Sequence, residues 1–550
     1  MSNIKISSLG GMGENGKNMY LVDIDSKIFI LDAGLIYPDI DSYGVDAVVP
    51  DIDYLKQNQQ RIVGIFLSHG HEDHIGAVPY ILENIQCPIY GTNFTISLLE
   101  ELLKLNNMNL KNYHLYRVKG NKKLTFDKIG VEFIRVNHSL PDSACVVISS
   151  PDGKIVYAPD FNFAIALNEK YEVEYQKLLE LSKSKVLAVL AESIGISGNN
   201  RTYNDDFFTS SIYNTIDKVK GNTYVLCYST DISRIQQIAE MAVQMEKKIA
   251  IVGLKNETII NMAIKTGYLN INPDYYLGDK IDKNGSQLVF VEGTYTEPYY
   301  IISKMLKHQF KDFNLTNDDL IITLSNMSAL NTKYALSVID EIYRNDINYI
   351  NIDKNTFRTS HATGPDLNQL YKITNPKYII PVKGEERHII RHIDLVNTIG
   401  MGDRVLDIND GKQVEIINGI YKESKTIKTG KVYIDGNQIG SVNEEIMDER
   451  NNLGKHGIIL VNVYVDTSKR EIIKEANIIT KGFAYNKLTE ENLEAIKKLT
   501  HETIDNNLNK KQKNLKEVEQ TLKNILERQI ARIVKEEVNV LPIIININNK

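Results

Sequence analysis

Residues 64–80 read GIFLSHGHEDHIGAVPY and join an apolar strand pattern to a helix pattern. Between the two lies HGHEDH, which places His69, His71, Asp73 and His74 in one strand-to-helix loop. The chain has 11 histidines in 550 residues, so three of them at preset offsets arise by chance at only about one in 100,000 starting positions. A solvated polar loop is therefore a poor explanation of this motif.

Metal binding explains the spacing within the motif. Its first two histidines can present imidazoles to one cation, while the adjacent Asp73 and His74 turn toward a second. Further ligands are expected at later strand ends, namely His138 in FIRVNHSLPDS and Asp160 in VYAPDF. Two divalent ions about 4 Å apart lower the pKa of a bridging water and stabilise charge on a phosphoryl oxygen. The sequence therefore predicts a hydrolase.

Composition and length limit the class of protein. The formal charge is -6, with 24% charged and 42% hydrophobic residues, which excludes a wholly disordered, collagenous or supercharged chain. The length allows about three to five domains. The mild acidity argues against a basic coat but leaves a local RNA-binding groove open.

Cysteine usage and apolar runs indicate the compartment. Cys87, Cys145 and Cys227 are widely spaced and odd in number, which predicts reduced, buried thiols and no disulfide framework. The N-terminal residues lack the apolar segment of an export signal, and no apolar run approaches the ~18 residues of a membrane span. We therefore expect a soluble, cytoplasmic protein that has no membrane partner.

Strand and helix patterns divide the chain. Residues 1–165 show short β patterns, with helical spacing at 74–84 and 93–106, which predicts a layered α/β domain. Residues 196–350 alternate strand and helix and predict a Rossmann-like insert. A strand-then-helix pattern resumes at 376–392, and after about residue 416 hairpin signals lead into a small α/β tail. A tail helix, serving as a packing face or an oligomer contact, is predicted from Leu515, Val518, Leu522, Ile525, Gln529 and Ile533.

A glycine motif near the N-terminus imitates a dinucleotide-binding motif but lacks the helix that should follow it. Gly11, Gly13 and Gly16 satisfy the GxGxxG pattern of dinucleotide-binding proteins. Such a motif must open a helix, whereas the residues after Lys17, NMYLVDIDSKIFILDAG, have a strand pattern. We therefore expect a tight β turn.

Several motifs resemble those of a known superfamily. HGHEDH after the FLSHG strand, Asp32 in ILDAG, His138 in NHS and Asp160 in PDF together resemble the metallo-β-lactamase superfamily. Within it, the segments GGMGENGKNMYLVD, GLIYPD, HSLPDS, RIQQ, PKYIIPV and KGFAY are similar to ribonuclease J, a β-CASP nuclease. The resemblance covers nearly the whole chain.

The resemblance implies a fold and its boundaries. The expected α/β fold is a metallo-β-lactamase αββα sandwich with an inserted Rossmann-like β-CASP domain and a small α/β C-terminal domain. The expected boundaries are 1–195 for the first part of the core, 196–350 for the β-CASP domain, 351–415 for the return of the core, 416–450 for a linker and 451–550 for the C-terminal domain.

The resemblance also implies a set of site residues. Two divalent ions are expected, zinc or else manganese or magnesium. One metal would take His69, His71, His138 and Asp160, and the other Asp73, His74 and Asp160. The expected catalytic residues are Asp73, His74, Glu192 and His361. The expected RNA contacts are Ser360, His361, Thr363, Gly364, Lys383 and Arg234.

The chain departs from the family pattern at the second metal. The family has a histidine ligand in PVHGE, whereas this chain has Lys383 in PVKGE, and a protonated ammonium cannot ligate a cation. His388 or His392 could substitute, although both fit surface positions better. Alternatively, the ammonium of Lys383 could stand where the second metal would sit. Phosphate loops also differ, since the chain has TSHATG, GTYTEP and TDISR, with Ser233 at an expected histidine.

Two functions from different classes follow. The first is a metal-dependent ribonuclease, a 5′ to 3′ exonuclease, an endonuclease or both, acting in RNA processing and decay. The second is a weakly active or inactive paralogue that serves as an RNA-binding structural partner of an active ribonuclease J. A small-molecule metallo-hydrolase is disfavoured by the large insert, which suits a polymer. The expected assembly is a homodimer, a homotetramer or a hetero-oligomer with a paralogue.

Overall fold

A computed structural model of the chain forms two compact units, Met1–Tyr37 with Val48–Lys431 and Pro38–Ala47 with Val432–Lys550. The structure describes residues 2–38, 42–120, 122–164, 166, 168–197, 205–254, 259–280, 282, 286–294, 296–310, 313–324, 333–352, 360–436, 438–482, 489–508 and 514–547. Parts of the KGFAY, GTYTEP and RTSHATG motifs lie outside them. No helix among these residues has the length and apolar character needed to cross a bilayer.

The first unit begins with short strands and helices in alternation. Its strands are β1 (Asn3–Gly10), β2 (Met12–Gly13), β3 (Met19–Ile24), β4 (Lys27–Leu31), β5 (Ala47–Pro50), β6 (Ile62–Leu67), β7 (Ile89–Gly91), β8 (Leu115–Arg117), β9 (Leu124–Phe126), β10 (Ile129–Arg135), β11 (Ala144–Ser150), β12 (Gly153–Ala158) and β13 (Val186–Glu192). Its helices are α1 (Asp53–Gln57), α2 (Glu72–Ile75), α3 (Val78–Leu82), α4 (Asn93–Leu105) and α5 (Tyr175–Ser182).

The elements that follow alternate more regularly. The middle of the chain has α6 (Asp205–Ile216), β14 (Thr223–Tyr228), α7 (Ile232–Gln244), β15 (Lys248–Val252), α8 (Ile259–Lys265), β16 (Tyr276–Gly278), β17 (Gln287–Gly293), α9 (Glu297–Leu306), β18 (Leu320–Leu324), α10 (Lys333–Arg344) and β19 (Asn348–Ile352). The return to the core has α11 (Gly364–Thr374), β20 (Tyr378–Val382), β21 (Gly384–Glu385), α12 (Glu386–Thr398), β22 (Lys412–Ile417) and β23 (Ile420–Thr426).

Two sheets face each other in the first unit. One has eight strands in the order β23-β22-β1-β3-β4-β6-β7-β8, and the other has six in the order β20-β13-β12-β11-β10-β9. Tyr20 and Phe66 from the first sheet share a buried core with Tyr157 and Leu190 from the second. Helices α5 and α11 cover the outer side of the second sheet, and α4 contacts β7 and β8 of the first. This is an αββα sandwich.

Strand direction brings the chemistry to one edge. Strands β12, β13 and β20 run parallel, with Ala158 opposite Ala191 and Glu192 opposite Val382. Because the carboxyl ends of parallel strands lie at the same edge, the residues just beyond them are neighbours. Strands β4 and β6 are also parallel, so Asp32 and the HGHEDH loop leave their sheet side by side.

The insert is a parallel sheet of its own, in the order β16-β15-β17-β14-β18-β19. Every residue of β17 and β18 is buried, as expected for parallel strands covered on both faces. Helices α7 to α10 each connect two successive strands, and Tyr299 of α9 packs against Tyr224 and Val289 of the sheet. The predicted Rossmann-like arrangement is confirmed.

The second unit has a hairpin, a helix and a small α/β layer. Its elements are β24 (Lys431–Asp435), β25 (Gln438–Ile439), α13 (Glu444–His456), β26 (Ile458–Asp466), β27 (Glu471–Lys481), α14 (Glu490–Leu508), α15 (Leu515–Val534) and β28 (Val540–Asn546). The last three strands form a sheet in the order β27-β26-β28, with α14 and α15 packed on one face. The predicted small α/β domain is present.

The buried face of α15 differs from the one predicted. Val518, Leu522, Leu526 and Ile530 are buried, whereas Gln529 is exposed and Ile533 is 39% exposed. The side chain of Glu519 accepts a hydrogen bond from the amide of Ile544, and that of Glu527 from the amide of Val540, at 2.9 and 3.3 Å. The helix therefore buries the apolar residues that recur four positions apart and bonds β28 beside them.

The glycine motif does not open a helix, but it differs from the predicted tight β turn, because Gly13 lies in the short strand β2 and Gly16 in a bend. Gly11, Gly13 and Gly16 have φ angles of +92°, +70° and +144°, which side chains with a Cβ rarely adopt. After Lys17 the chain enters β3 rather than a helix. A dinucleotide-binding fingerprint is therefore ruled out at this position.

Candidate metal centre

Three histidines converge at the edge of the sandwich. His69 and His71 belong to the loop after β6, and His138 follows β10. The Nε2 atom of His69 lies 2.8 Å from Nδ1 of His71, which lies 3.1 Å from Nε2 of His138. We call these residues the three-histidine site.

Hydrogen bonds to the Nδ1 atoms of His69 and His138, which face away from the centre of the site, fix the protonation of both rings. Nδ1 of His69 lies 2.9 Å from the hydroxyl of Ser68, which donates to Asp32 at 2.7 Å and must therefore accept from the ring. Nδ1 of His138 lies 2.7 Å from the carbonyl oxygen of Ser360, which can only accept. Both rings consequently turn a lone pair of Nε2 toward the centre, the arrangement usual for metal ligands.

The three-histidine site fits a divalent cation. Burial lowers the pKa of His69 and His71 well below the usual value and that of His138 to about 4, so the rings are neutral. Neutral nitrogens held this close repel one another unless a cation lies between them. Ligands about 2.0 Å from a tetrahedral zinc ion are themselves about 3.3 Å apart, close to the spacing here. Three histidines with an open fourth position are a known catalytic zinc set.

Asp160 connects this site to its neighbours. Its Oδ2 lies 3.3 Å from Nε2 of His69 and 2.8 Å from Nε2 of His74, and its Oδ1 lies 2.7 Å from Nδ1 of His361. Burial alone would raise its pKa, but Lys383 and His74 hold the pKa well below its usual range. Asp160 is therefore an ionised carboxylate that lies between the three-histidine site, His74 and His361.

Lys383 points into the centre. Its Nζ lies 2.7 Å from Nε2 of His74 and 3.0 Å from Asp73 Oδ2, and it also bonds Asp160. Burial alone would lower its pKa, but Asp160 and Asp73 outweigh burial and raise it above the usual value. At 2% exposure the ammonium is turned away from solvent, whereas the sequence predicted an RNA contact at this position.

His74 accepts a hydrogen bond from this ammonium. Its Nδ1 lies 2.6 Å from Asp32, which can only accept, so Nδ1 carries a proton. Burial opposes a charge on His74 and Asp73 raises its pKa, but the ammonium of Lys383 can only donate and lies 2.7 Å from Nε2, so we assign a lone pair to that atom. Asp32 also accepts from the amide of Ser68 and the hydroxyl of Tyr157, at 2.7 and 2.8 Å. The buried Asp32 carboxylate thus orients the loop that carries the motif.

Glu192 and His361 form a second charged pair beside Asp160. Nδ1 of His361 lies 2.7 Å from Glu192 Oε2, while Glu192 Oε1 accepts from the amides of Phe161 and Ala362, each at 2.9 Å. Burial opposes the charge on His361, but Glu192 and Asp160 raise its pKa to about 10. The side chain is 27% exposed, so an imidazolium faces the entrance.

The remaining expected RNA contacts near α11 have structural partners. The carbonyl of Ser360 is bonded by His138, and Thr363 caps α11 through a capping box with Asp366. Thr363 is 2% exposed and its hydroxyl bonds Asp366 at 2.5 Å. Gly364 is the partly exposed first residue of the helix.

Arg234 lies where the insert meets the core. It is 7% exposed, and its Nε is 3.9 Å from Asp231 Oδ2. The amide of the neighbouring Ser233 donates to the carbonyl of Ser139 at 3.3 Å, one residue beyond His138. The start of α7 therefore lies against the histidine loop, although the guanidinium does not join the three-histidine site.

The sequence interpretation missed two supporting residues, Asn18 and Tyr157. The amide of Asn18 donates to Asp73 Oδ2 at 3.1 Å, and Tyr157 bonds Asp32. Tyr157 sits in an apolar strand, where a hydroxyl facing inward needs a buried acceptor, so strand alternation could have indicated it. Nothing in the sequence pattern indicated Asn18.

His392, expected at the surface, is fully buried. Its Nδ1 lies 2.9 Å from the hydroxyl of Ser193 and its Nε2 lies 2.5 Å from that of Tyr371. Both nitrogens are occupied away from the three-histidine site, so His392 does not replace the missing ligand. His388 lies on the same helix, partly buried, and belongs to none of the metal-competent groups among the described residues.

The fold and the histidine centre together define a hydrolase of the metallo-β-lactamase superfamily with a β-CASP insert. Residues 12–167 match the metallo-beta-lactamase superfamily, and 351–405 match the Zn-dependent metallo-hydrolase RNA specificity domain. Residues 220–342 match the ribonuclease J beta-CASP domain, and 445–547 match the ribonuclease J C-terminal domain. The chain belongs to the ribonuclease J family of metal-binding, RNA-processing nucleases.

Individual relatives agree with this assignment. The chain is 31% identical over 548 residues to "Ribonuclease J 2" of Staphylococcus epidermidis, with 98% of both chains covered. It is 30% identical over 547 residues to "Ribonuclease J 2" of Staphylococcus saprophyticus, again with 98% of both covered. A solved protein of unknown function from Enterococcus faecalis shares the fold, at a TM-score of 0.51 and 15% identity, covering 75% of this chain and all of that one.

Proposed function

We propose that this chain is a metal-dependent ribonuclease that hydrolyses RNA phosphodiester bonds in RNA processing and decay, as an exonuclease, an endonuclease or both. The observation that carries the proposal is the juxtaposition of the neutral three-histidine site and the imidazolium of His361 around Asp160. The family assignment supports RNA as the substrate.

Each group has a distinct task in this proposal. A divalent ion at the three-histidine site, zinc or else manganese or magnesium, would activate water for attack on phosphorus near neutral pH. His361 donates a hydrogen bond to a phosphate oxygen, where negative charge grows during attack. Glu192 keeps His361 charged and oriented, and Asp160 orients both His361 and Lys383.

The domain boundaries remain part of the proposal. We propose a core of 1–195 and 351–415, a β-CASP domain of 196–350, a linker of 416–450 and a C-terminal domain of 451–550. We also place the activity in the cytoplasm, where RNA substrates occur. Phosphate contacts should make RNA binding weaken as salt rises.

The test compares the degradation of three RNAs that share one sequence and differ only at their ends. Purified protein with Mn²⁺, Mg²⁺ or Zn²⁺ is incubated with a linear 5′-monophosphorylated RNA, its 5′-hydroxyl form and a circular form. Cleavage of the circle shows endonuclease action, because the circle has no end. Mononucleotides released from the monophosphorylated RNA alone show 5′ to 3′ exonuclease action.

Two variants make the result interpretable. His71→Ala removes a ligand of the three-histidine site and should abolish cleavage, while His388→Ala removes a histidine outside every metal-competent group among the described residues and should leave it unchanged. Cleavage that persists in His71→Ala would indicate a contaminating nuclease. Absence of cleavage by wild-type protein on all three RNAs would contradict the proposal.

A second function is favoured by Lys383. In this second proposal, the ammonium fills the acceptors of a second metal and keeps turnover low, and the chain acts as an RNA-binding structural partner of an active ribonuclease J. The distinguishing result is RNA binding without cleavage, combined with a change in the activity of an added active paralogue. We propose assembly as a homodimer, a homotetramer or a hetero-oligomer.

A further inference from the structure

A second group of potential ligands lies next to the three-histidine site. Asp73, His74 and Asp160, which we call the acceptor trio, each direct one acceptor atom at a common point. In the family resemblance this point belongs to the second metal. Here the Nζ of Lys383 occupies it.

The ammonium matches the acceptor trio atom for atom. A protonated lysine has three N–H donors and no acceptor, and it meets two carboxylate oxygens and one imidazole lone pair. A cation at this point would need the same three lone pairs at about 2.0–2.2 Å, where Nζ now lies. With the ammonium at this point, the acceptor trio does not fit a second metal.

Hydrogen bonds hold the backbone of Lys383 in a conformation that directs its side chain toward the acceptor trio. Its φ angle is 53°, a left-handed conformation that is uncommon for a residue with a Cβ. Its amide donates to the hydroxyl of Tyr20 at 3.1 Å, and its carbonyl accepts from the amide of Ser193 at 3.0 Å. The hydroxyl of Ser193 in turn bonds the carbonyl of Val382 at 2.9 Å.

If the Lys383 side chain moved out of the centre, the buried groups around it would lose their positively charged partner. Asp160 is 1% exposed and His74 is completely buried, so solvent cannot replace the ammonium around them. A buried carboxylate that loses its cationic partner is strongly destabilised. Lys383 is therefore a permanent part of the centre and not a mobile substrate contact.

We propose that this chain binds a single divalent ion, at the three-histidine site, and that the Lys383 ammonium takes the place of a second ion within the acceptor trio. The inference rests on the metal centre of the proposed function but does not require turnover. The Lys383 ammonium carries a charge of +1 where a divalent ion would carry +2. Because it is covalently attached, it cannot exchange with ions in solution.

Metal counting tests the inference directly. Metal-free, full-length protein is titrated with Co²⁺, whose visible absorption reports the number of occupied sites. In a second measurement, Zn²⁺-loaded protein is passed through gel filtration, and the zinc content per chain is determined by elemental mass spectrometry. We expect one tightly bound ion per chain, lost in His138→Ala. Two tightly bound ions per wild-type chain would overturn the inference.

A substitution and a matched control show whether Lys383 is the cause. Lys383→His supplies an imidazole in place of the ammonium and should raise the count to two ions. Lys17 is the control, because it is also 2% exposed, has the same φ of 53° and pairs with a carboxylate, Glu14 at 2.8 Å, outside the acceptor trio. Lys17→His should still bind one ion.

The outcomes separate the two proposals. A folded Lys383→His variant that still binds one ion would refute the role given to Lys383, and the wild-type count decides the stoichiometry if the variant fails to fold. One ion per chain without RNA cleavage would count against the proposed nuclease while supporting the single-ion site. Cleavage with two ions would do the opposite.

Discussion

The carboxylate of Glu192 holds the imidazole of His361 at 2.7 Å and is itself held by two backbone amides. The glutamate is completely buried, whereas the histidine ring is 27% exposed. A buried anion thus fixes a cation at the entrance to the metal centre. Since the anion cannot move, the direction of the exposed ring edge is fixed as well.

The charge of Glu192 should control the pH range of RNA binding. Glu192→Gln keeps an acceptor for both amides but removes the charge, so the pKa of His361 should fall from about 10. The imidazolium would then be lost at lower pH, and RNA affinity at pH 8–9 should drop about tenfold, the effect of one charged hydrogen bond. The measurement is RNA binding from pH 6 to 10 by fluorescence anisotropy.

The control for this prediction is Glu172→Gln, an exposed carboxylate in the same unit. It should leave the pH profile of RNA binding unchanged. If Glu192→Gln weakened binding equally at every pH, the pair would have a structural role and the proposed charge effect would be wrong.

Much of the fold could be predicted from local sequence. Parallel strands such as β13, VLAVLAE, are buried throughout and therefore appear as apolar runs. The helices of the insert have one apolar face, so their spacing was informative. The face of α15 was less certain, because Ile525 and Ile533 also fit helical spacing although neither is buried.

The site was only partly predictable. The histidines of HGHEDH are close in sequence, and His138 and Asp160 follow recognisable strands. The direction of Lys383, however, depends on a positive φ angle and on Tyr20, which lies 363 residues away in the chain. His392 was wrongly assigned to the surface because its partners, Ser193 and Tyr371, come from other elements.

His392 should make the protein sensitive to acid. Burial lowers its pKa to about 3 in the folded state, against about 6.5 when unfolded. Below pH 6.5 the unfolded chain therefore binds the proton more readily, and stability should fall by up to about 1.4 kcal/mol per pH unit down to pH 3. Stability above pH 6.5 gains nothing further from this residue.

Urea unfolding at pH 7.0, 6.0 and 5.0 checks the His392 prediction. His392→Asn should lower stability at pH 7 yet show a smaller loss on acidification than wild-type protein. His114→Asn, at an exposed position, should behave like wild type. Parallel pH dependence in wild type and His392→Asn would contradict the prediction.

The hydroxyl of Tyr157 should stabilise the loop of the metal motif. It donates to the buried carboxylate of Asp32 at 2.8 Å, and hydrogen bonds to charged groups contribute about 1.5–3 kcal/mol. Tyr157→Phe should therefore lower the free energy of unfolding by about 2 kcal/mol and weaken Zn²⁺ binding. Tyr116→Phe, 48% exposed, should change neither quantity, and equal melting of the two variants would refute the role of the hydroxyl.

The outer face of the C-terminal sheet should mediate assembly. The sheet covers α14 and α15 with one face, whereas Leu541, Ile543 and Ile545 of β28 alternate outward and are 45%, 36% and 39% exposed. Ile473 and Ile479 of β27 are exposed as well, at 45% and 39%. Exposed apolar residues grouped on one face of a sheet mark a protein interface more often than a solvated face.

A charge placed in this face should therefore dissociate the assembly. Ile543→Lys would put an unpaired ammonium into an apolar interface, so the mass measured by analytical ultracentrifugation should fall toward that of one chain, 62.5 kDa. Ile533→Lys, at a 39% exposed position on α15 outside the sheet, is the matched control and should leave the mass unchanged. If wild type and Ile543→Lys had the same multimeric mass, the contact would have to lie elsewhere. If wild type were a monomer even when mixed with an active paralogue, the assembly proposal would fail.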